Sequence, residues 1–133
     1  MIVLDASIAI DFLLDIAPYS PGIAARMEAE APAMAAPHLL DVEVTQVLRR
    51  FVLRGAITQE RARGAVEDLA DLPVIRYPHT PLVSRMFELR DNLTAYDAAY
   101  LVLAESLGAT LLTKDAAFAS IPGTSASVEL VSS

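Results

Sequence analysis

Four acidic residues are spaced so that a parallel α/β sheet would gather their carboxylates: Asp5, Glu43, Asp97 and Asp115. Asp5 directly follows a predicted strand, and Asp115 lies just beyond another. The carboxyl ends of parallel strands share one edge of the sheet, where such folds bind ligands. Because four carboxylates in one crevice repel one another, we expect raised pKa values or a bound cation. Carboxylates and water suit Mg²⁺ or Mn²⁺, and such a site favours phosphodiester hydrolysis by activated water.

Glu43 and Asp97 are the stronger pair on physical grounds, because each lies on the apolar face of a predicted helix. Glu43 is four residues from both Leu39 and Val47, which places all three on one helix face. Asp97 has the same spacing from two leucines of a later helix. A lone carboxylate on a core-facing stripe is unfavourable unless it is paired, neutralised or bound to a metal. These two positions therefore point to a ligand.

Each of the four acids also has a purely structural interpretation. Asp5 and Asp115 both precede helical segments, so either can cap a helix N-terminus. Thr94 and Asp97 have the spacing of a capping box. Glu43 fits an ordinary polar position at the edge of a helix face. No single acid decides the question, and the case for a site depends on the four together.

Two hydroxyl residues, Ser7 and Thr113, are predicted near the same edge, where they can orient a metal-bound water or a phosphate. Helix capping is the alternative for both. His38 and His79 have no metal-ligand spacing and are predicted to be ordinary surface or helix-start residues. The chain has no cysteine, which excludes thiol catalysis and cysteine-type zinc sites. It also lacks phosphate-binding loops, dinucleotide fingerprints and nucleophile elbows.

The composition predicts one folded domain over residues 1–133. Hydrophobic residues make up 54% of the 133 residues, which is typical of a globular protein. No uncharged apolar run reaches the roughly 18–20 residues of a membrane span. We therefore expect a soluble protein without a membrane partner, and the absence of cysteine fits a cytoplasmic location.

The net charge of −7 is unusual for a protein that binds nucleic acid, because phosphate contacts normally need a basic face. Arginines are concentrated in one stretch, and Arg49, Arg50 and Arg54 are the candidates there for contacts to RNA phosphates. A solvated helix face is the alternative interpretation. The acidic balance predicts weak affinity for RNA without metal, or a basic partner.

Hydrophobic periodicity predicts strands that alternate with helices. The predicted strands are 2–4, 33–36, 73–77, 109–112 and 128–131. The first predicted helix directly follows the first strand and ends at about 14. The second begins after the turn at 18–21 and ends before 32. The others cover 38–54, 58–70, 80–90 and 94–107, and a short helical turn follows 114. This order indicates a parallel α/β sheet covered on both faces.

Four blocks of the sequence resemble the PIN-domain nucleases. They are Val-Leu-Asp-Ala-Ser at 3–7, Leu-Asp-Val-Glu-Val at 40–44, Tyr-Asp-Ala-Ala-Tyr at 96–100 and Leu-Thr-Lys-Asp at 112–115. The blocks occur in order over essentially the whole chain. Within the family, the length and spacing resemble VapC-type toxins of bacterial toxin–antitoxin pairs.

The resemblance implies a PIN-like three-layer α/β/α fold with a central parallel sheet of four to five strands. It implies an acidic pocket that holds Mg²⁺ or Mn²⁺ and an endoribonuclease that cleaves RNA phosphodiesters by metal-activated water, leaving a 5′-phosphate and a 3′-hydroxyl and inhibiting translation or growth. By matching blocks, Asp5, Glu43 and Asp97 are the main metal ligands. Asp115 completes the pocket, and Ser7 and Thr113 match its small polar positions.

The resemblance also implies partners. VapC-type toxins usually form homodimers, and a small VapB-type antitoxin silences them by covering the pocket with its C-terminal segment, often through an arginine. Such a partner would suit this acidic surface.

Two features depart from the family pattern. Ala116 and Ala117 stand where some relatives carry a further acid, which puts a second metal site in doubt. Lys114 adjoins Asp115 and is predicted either to pair with it or to contact a phosphate.

Two other functions remain as alternatives. A phosphoacceptor signalling domain also pairs strand-end acids with a Thr and a Lys, but it needs an aspartate that closes a central strand, and 73–77 offers none. A binding module with a vestigial pocket would keep the fold without catalysis, and the presence of all four acids opposes it.

Overall fold

The computed structural model describes residues 1–31 and 33–131, and its centre is a five-stranded sheet. All neighbouring strands pair in parallel, in the order β3-β2-β1-β4-β5. The strands are β1 (Ile2–Leu4), β2 (Met34–Pro37), β3 (Ile75–Tyr77), β4 (Thr110–Thr113) and β5 (Ser127–Leu130). The three-layer α/β fold with a parallel sheet is therefore confirmed.

Six α-helices connect and cover these strands: α1 (Ala6–Leu13), α2 (Ser20–Glu30), α3 (Leu39–Leu53), α4 (Gln59–Asp71), α5 (Val83–Glu88) and α6 (Ala95–Leu107). Short 3₁₀ turns precede α5 at Thr80–Leu82 and follow β4 at Ala116–Ser120. Within 1–31 and 33–131, no helix has the length and apolar character needed to cross a bilayer.

Local signals in the sequence explain most of the helix ends. Thr58 caps α4 and Thr94 caps α6, each by accepting a hydrogen bond from the backbone N–H three residues on. Gly108 ends α6 in the left-handed conformation, with φ of 62°, which glycine adopts without steric cost.

Two predicted elements differ from the structure. The helix predicted over 80–90 is a 3₁₀ turn followed by α5. Pro81 lies in the first turn, where a missing N–H is compatible with either type of helix. The strand predicted over 73–77 is only Ile75–Tyr77, because it pairs with just three residues of β2, Ala35–Pro37. Neither difference moves a strand end that carries a candidate acid.

The core lies on both faces of the sheet. The residues of β1 are completely buried, and Leu40, Val44 and Leu48 of α3 form its buried stripe. The chain builds the sheet outward from β1 to β3 and then returns to place β4 on the other side of β1. The strand order therefore reverses between β1 and β4, which is where a crevice opens at the carboxyl edge of such a sheet.

Candidate active site

The crevice between β1 and β4 gathers the strand-end residues that the sequence predicted. Asp5 is the residue after β1, Thr113 is the last of β4, and Asp115 follows two residues later. β1 and β4 pair in register from Ile2 opposite Thr110 to Leu4 opposite Leu112. This pairing brings two distant parts of the chain to one edge.

Asp5 is the most enclosed of the four acids, with 7% of its surface exposed. Its Oδ1 accepts hydrogen bonds from Ser7 Oγ at 2.7 Å and from the Ile8 backbone N–H at 3.0 Å. Its Oδ2 accepts a hydrogen bond from the Thr113 hydroxyl, which is itself completely buried. The Ile8 contact makes Asp5 the N-cap of α1, so the structural role considered for it is present as well.

Ser7 and Thr113 both direct their hydroxyl protons to Asp5. Thr113 Oγ1 also accepts a hydrogen bond from the Asp115 N–H at 3.1 Å, so it links the two strand-end acids. Their visible effect is to orient the Asp5 carboxylate, and their role toward water or phosphate stays a prediction.

Glu43 is half-buried and lies at the edge of the α3 core stripe rather than at its centre. Its Oε1 is buried and has no partner within hydrogen-bond distance among the described residues. The Tyr100 hydroxyl, which is buried nearby, also has none at that distance. Burial raises the pKa of Glu43, and the charges of Asp97 and Asp5 raise it further, while the Tyr100 hydroxyl acts in the opposite direction. An unpartnered buried carboxylate oxygen is what a ligand-holding position would show.

Asp97 stands in the first turn of α6 and is half-buried. The Thr94 hydroxyl accepts the Asp97 N–H at 3.2 Å, so the predicted cap of this helix is formed. Burial raises the pKa of Asp97, followed by the charges of Asp115 and Asp5. Asp97 therefore takes part in the cap of α6 through its backbone N–H and in the acidic crevice through its carboxylate.

Asp115 is exposed, in contrast to the other three acids. Its Oδ1 accepts the Ala117 N–H at 2.9 Å and caps the 3₁₀ turn Ala116–Ser120. Its charge nevertheless raises the pKa of both Asp5 and Asp97. For Asp5, burial is the larger cause, and the hydrogen bonds from Thr113, Ser7 and Ile8 oppose it.

The four acids form one electrostatic unit, and their donor chemistry fits a hard divalent cation. The unit offers only oxygen ligands, which Mg²⁺ and Mn²⁺ prefer, and it includes the unpartnered Oε1 of Glu43. Among residues 1–31 and 33–131, no three acidic or histidine side chains form a ready-made ligand set. Mg²⁺ commonly binds through one or two carboxylates and several waters, so such a set is not required.

Lys114 does not pair with Asp115, contrary to one of the two roles predicted for it. Its ammonium forms an ion pair with Asp11 of α1 and lies 4.5 Å from the centre of the Tyr19 ring. Asp11 is 3% exposed and was not among the predicted site residues. It is the only charged residue of the apolar segment 6–14, and that isolation was a signal that it needs a partner.

The three candidate arginines lie at different distances from the crevice. Arg50 lines a groove together with Glu43 and shares its helix face, because the two are seven residues apart. Arg49 lines neighbouring grooves that Glu43 does not reach. Arg54 lies one turn further along α3, with its guanidinium 5.3 Å from the Phe51 ring centre. The structure thus brings Arg50 toward the acids and leaves Arg49 and Arg54 further away.

Comparison with known proteins identifies the family of the chain. The family model for the PIN domain matches residues 2–123. Ribonuclease VapC1 of Mycobacterium tuberculosis is 47% identical over 97 residues, which cover 72% of this chain and 73% of the relative. Ribonuclease VapC12 of the same organism is 39% identical over 131 residues, covering 98% and 99%.

A solved structure has the same fold. VapBC-5 of Mycobacterium tuberculosis, described as a member of the VapBC family of toxin–antitoxin systems, superposes with a TM-score of 0.56. The identity is 26%, and the match covers 98% of this chain and 97% of that one.

The chain belongs to the PIN-domain family. Within it, the chain is similar to VapC ribonucleases over most of their length. The family predicted from the four sequence blocks is confirmed.

Proposed function

We propose that this protein is a metal-dependent endoribonuclease and the toxin of a VapBC-type toxin–antitoxin pair. The observation that carries the proposal is the acidic crevice at the β1–β4 switch point, where burial and neighbouring negative charges raise the pKa values of Asp5, Glu43 and Asp97. Asp115 contributes its charge to this crevice. The ribonuclease names of its relatives support RNA as the substrate. A cytoplasmic location is part of the same proposal.

Mg²⁺ or Mn²⁺ bound in the crevice would supply Lewis acidity for water activation and for stabilising charge on the phosphoryl group. Asp5, Glu43 and Asp97 would hold it, with Asp115 completing the pocket. Ser7 and Thr113 keep the Asp5 carboxylate in a fixed orientation through their hydrogen bonds. The ion pair of Lys114 with Asp11 keeps this cation out of direct pairing with the acids.

The partner in this proposal is a small VapB-type antitoxin, and the relationship to VapBC-5 supports it. An apolar groove of about 400 Å³ between α1, α2 and α4 offers a docking surface, with Phe12 and Met27 in its walls. Glu28, Asp68 and Asp71 also line it, so a basic amphipathic segment would fit. Homodimerisation, as in VapC-type toxins, belongs to the same proposal.

The test is cleavage of a mixed-sequence single-stranded RNA with Mg²⁺ or Mn²⁺, analysed on a denaturing gel. Cleavage should disappear in excess EDTA and in both Asp5→Asn and Asp97→Asn. Circular dichroism should show that the two variants remain folded. The control is Glu88→Gln, which removes an exposed carboxylate outside the crevice.

Undiminished cleavage in EDTA, or in the two aspartate variants, would overturn the proposal. Calorimetry that detects no Mn²⁺ binding would instead favour a binding module with a vestigial pocket. Incorporation of phosphate from a small phosphodonor, detected by mass, would indicate the phosphoacceptor alternative. Equal cleavage of DNA would widen the substrate class.

A further inference from the structure

A groove runs from Glu43 along α3 and meets the N-terminus of α6. It has a volume of about 300 Å³ and is lined by Leu39, Glu43, Gln46, Val47, Arg50 and Tyr96, together with Val42. This volume lies at the lower end of the range for ligand sites, which suits one nucleotide unit rather than a duplex. Because Glu43 is a wall of both the groove and the acidic crevice, anything bound there lies beside the candidate active site.

Tyr96 gives the groove an aromatic surface. It directly precedes Asp97, and 63% of its side chain is exposed, although most tyrosine rings bury their apolar surface. The aliphatic residues Leu39 and Val47 lie along the same groove. Proteins that bind single-stranded nucleic acid use exposed aromatic rings as stacking surfaces for unpaired bases. The sequence alone did not reveal this surface, because the exposure of Tyr96 depends on how α6 packs.

Arg50 gives the groove a positive charge on the same face of α3 as Glu43. Seven residues separate them, which is about 10 Å along a helix. In the part of the chain that the structure describes, the ion-paired basic side chains are Arg26, Arg76, Arg85 and Lys114, and Arg50 is not among them. Its guanidinium is therefore available for a phosphate. Gln46 lies between the two ends and can donate or accept hydrogen bonds.

We infer that this groove, here called the Tyr96 groove, binds one unpaired nucleotide of the RNA substrate next to the cleaved bond. The base stacks on Tyr96, and the phosphate contacts Arg50. The inference rests on the proposed ribonuclease function, and it adds a base-binding subsite to the acidic crevice. It also explains how a chain with a net charge of −7 gains affinity for RNA, since stacking needs no basic surface.

The first experiment uses mononucleotides, so that neither cleavage nor the register of a long RNA affects the result. Adenosine 5′-monophosphate and ribose 5-phosphate are titrated into the full chain, and the tyrosine ring signals are followed by NMR. The nucleotide should shift the Tyr96 signals, and ribose 5-phosphate should bind about tenfold more weakly because it lacks the base. Tyr96→Ala should reduce the affinity for the nucleotide to that of ribose 5-phosphate, whereas Tyr96→Phe should retain it.

The phosphate contact is tested separately. Arg50→Ala should weaken both probes by a similar factor, because each carries one phosphate for the guanidinium to contact. The matched controls are Phe87→Ala, an exposed aromatic residue on α5, and Arg63→Ala, an exposed arginine on α4. Both controls lie outside the groove lining and should leave the titrations unchanged.

The second experiment measures RNA cleavage by the same variants. Tyr96→Ala should raise KM about tenfold and keep most of kcat, because it removes binding that does not depend on the transition state. If cleavage needs the acids but Tyr96→Ala changes neither KM nor nucleotide binding, the inference is wrong and the proposed function stands. If the nucleotide binds at Tyr96 but no RNA is cut, nucleotide binding in the Tyr96 groove is supported and the proposed ribonuclease function is wrong.

One further outcome would overturn the inference. Sedimentation velocity of the wild type and Tyr96→Ala should give the same oligomeric state. A shift toward monomer in Tyr96→Ala would identify the groove as an interface between copies of the chain. In that case the exposure of Tyr96 in a single chain would be explained without a nucleotide.

Discussion

A cluster around Arg85, formed with Glu88, Glu105, Thr124 and Ser125 and here called the Arg85 cluster, contrasts with the acidic crevice. The two regions place similar carboxylates in opposite electrostatic environments. Glu105 of α6 accepts two hydrogen bonds from Arg85 at 3.0 Å, one from Thr124 at 2.9 Å and one from the Ser125 N–H at 3.3 Å. These contacts, with Arg85 first, hold the pKa of Glu105 below its usual range. Glu43, also on a helix, has a raised pKa and a buried oxygen without a partner.

The difference separates acids that are paired with a basic side chain from acids that are not. Within residues 1–31 and 33–131, each ion pair involves an acid other than the four of the crevice. Even Lys114, adjacent to Asp115, is directed to Asp11. Uncompensated charge in a half-buried crevice is unfavourable for the chain alone, and this supports the proposal of a cation bound there.

The largest effect is expected from neutralising one acid of the crevice. Glu43→Gln should lower kcat/KM for RNA by about 100-fold or more, because a metal ligand contributes several kcal/mol to transition-state stabilisation. The same change removes a repelled charge and should raise the metal-free stability by a few tenths to about 1 kcal/mol. Urea unfolding and single-turnover cleavage measure the two effects. A variant that lost both stability and activity would show a merely structural role for Glu43.

The matched change in the Arg85 cluster should have the reverse pattern. Glu105→Gln leaves Arg85 without its main partner and should lower the free energy of unfolding by about 2 kcal/mol, since the Glu105 side chain is 11% exposed. Activity per folded molecule should be unchanged. Urea unfolding followed by a cleavage assay at low temperature tests both parts. Loss of activity in fully folded Glu105→Gln would contradict the division between the two regions.

The Asp11–Lys114 pair borders the acidic crevice, because it ties α1 to the turn that carries Asp115. Asp11→Asn should lower stability by about 2 kcal/mol, since it leaves the ammonium without its counter-charge. Lys114→Met should cost about as much, and the double variant should be less than additive. Urea unfolding of the four proteins gives the coupling. Simple additivity would mean that the pair does not interact in solution.

The smallest effect is the pH dependence of stability without metal. Asp5, Glu43 and Asp97 have raised pKa values when folded, so the folded chain binds their protons more tightly than the unfolded chain. Stability should therefore increase as the pH falls from neutral through these raised values. Below about pH 4.5 it should decrease again, because Glu30 and Glu105 have lowered pKa values and lose their arginine partners there.

Thermal melting across this pH range, in chelator and in saturating Mn²⁺, measures the effect. In chelator the Tm should be highest at mildly acidic pH. With Mn²⁺ the maximum should move toward neutral pH, because the metal binds ionised carboxylates. Identical profiles with and without Mn²⁺ would argue against a metal in the crevice.

Much of the fold followed from local features of the sequence. Apolar runs marked the five strands, and the caps at Thr58 and Thr94 and the stop at Gly108 marked helix ends. These signals are local because capping and left-handed turns involve only neighbouring residues. The split of the helix predicted over 80–90 was missed, because a proline near a helix start is compatible with either conformation.

The sequence was enough to name the acids of the candidate site, but not the side chains that contact or border them. Asp5 and Asp115 were identified by their position after strands, and Glu43 and Asp97 by helical spacing. Asp11 and Tyr96 were missed, because a partner distant in the sequence and the exposure of a ring both depend on packing. One of the two roles predicted for Lys114 was to pair with its neighbour Asp115, yet its ammonium lies at Asp11, which is distant in the sequence.

The sequence by itself was enough to name the four candidate acids, the order of strands and helices along the chain, and the family. It determined these because residue type, periodicity and capping act over a few residues. Only the tertiary structure decided that β4 lies beside β1, that Thr113 donates its hydrogen bond to Asp5, and that Lys114 turns to Asp11. These contacts join residues about a hundred positions apart, and only the packing of the whole chain around the sheet brings them together.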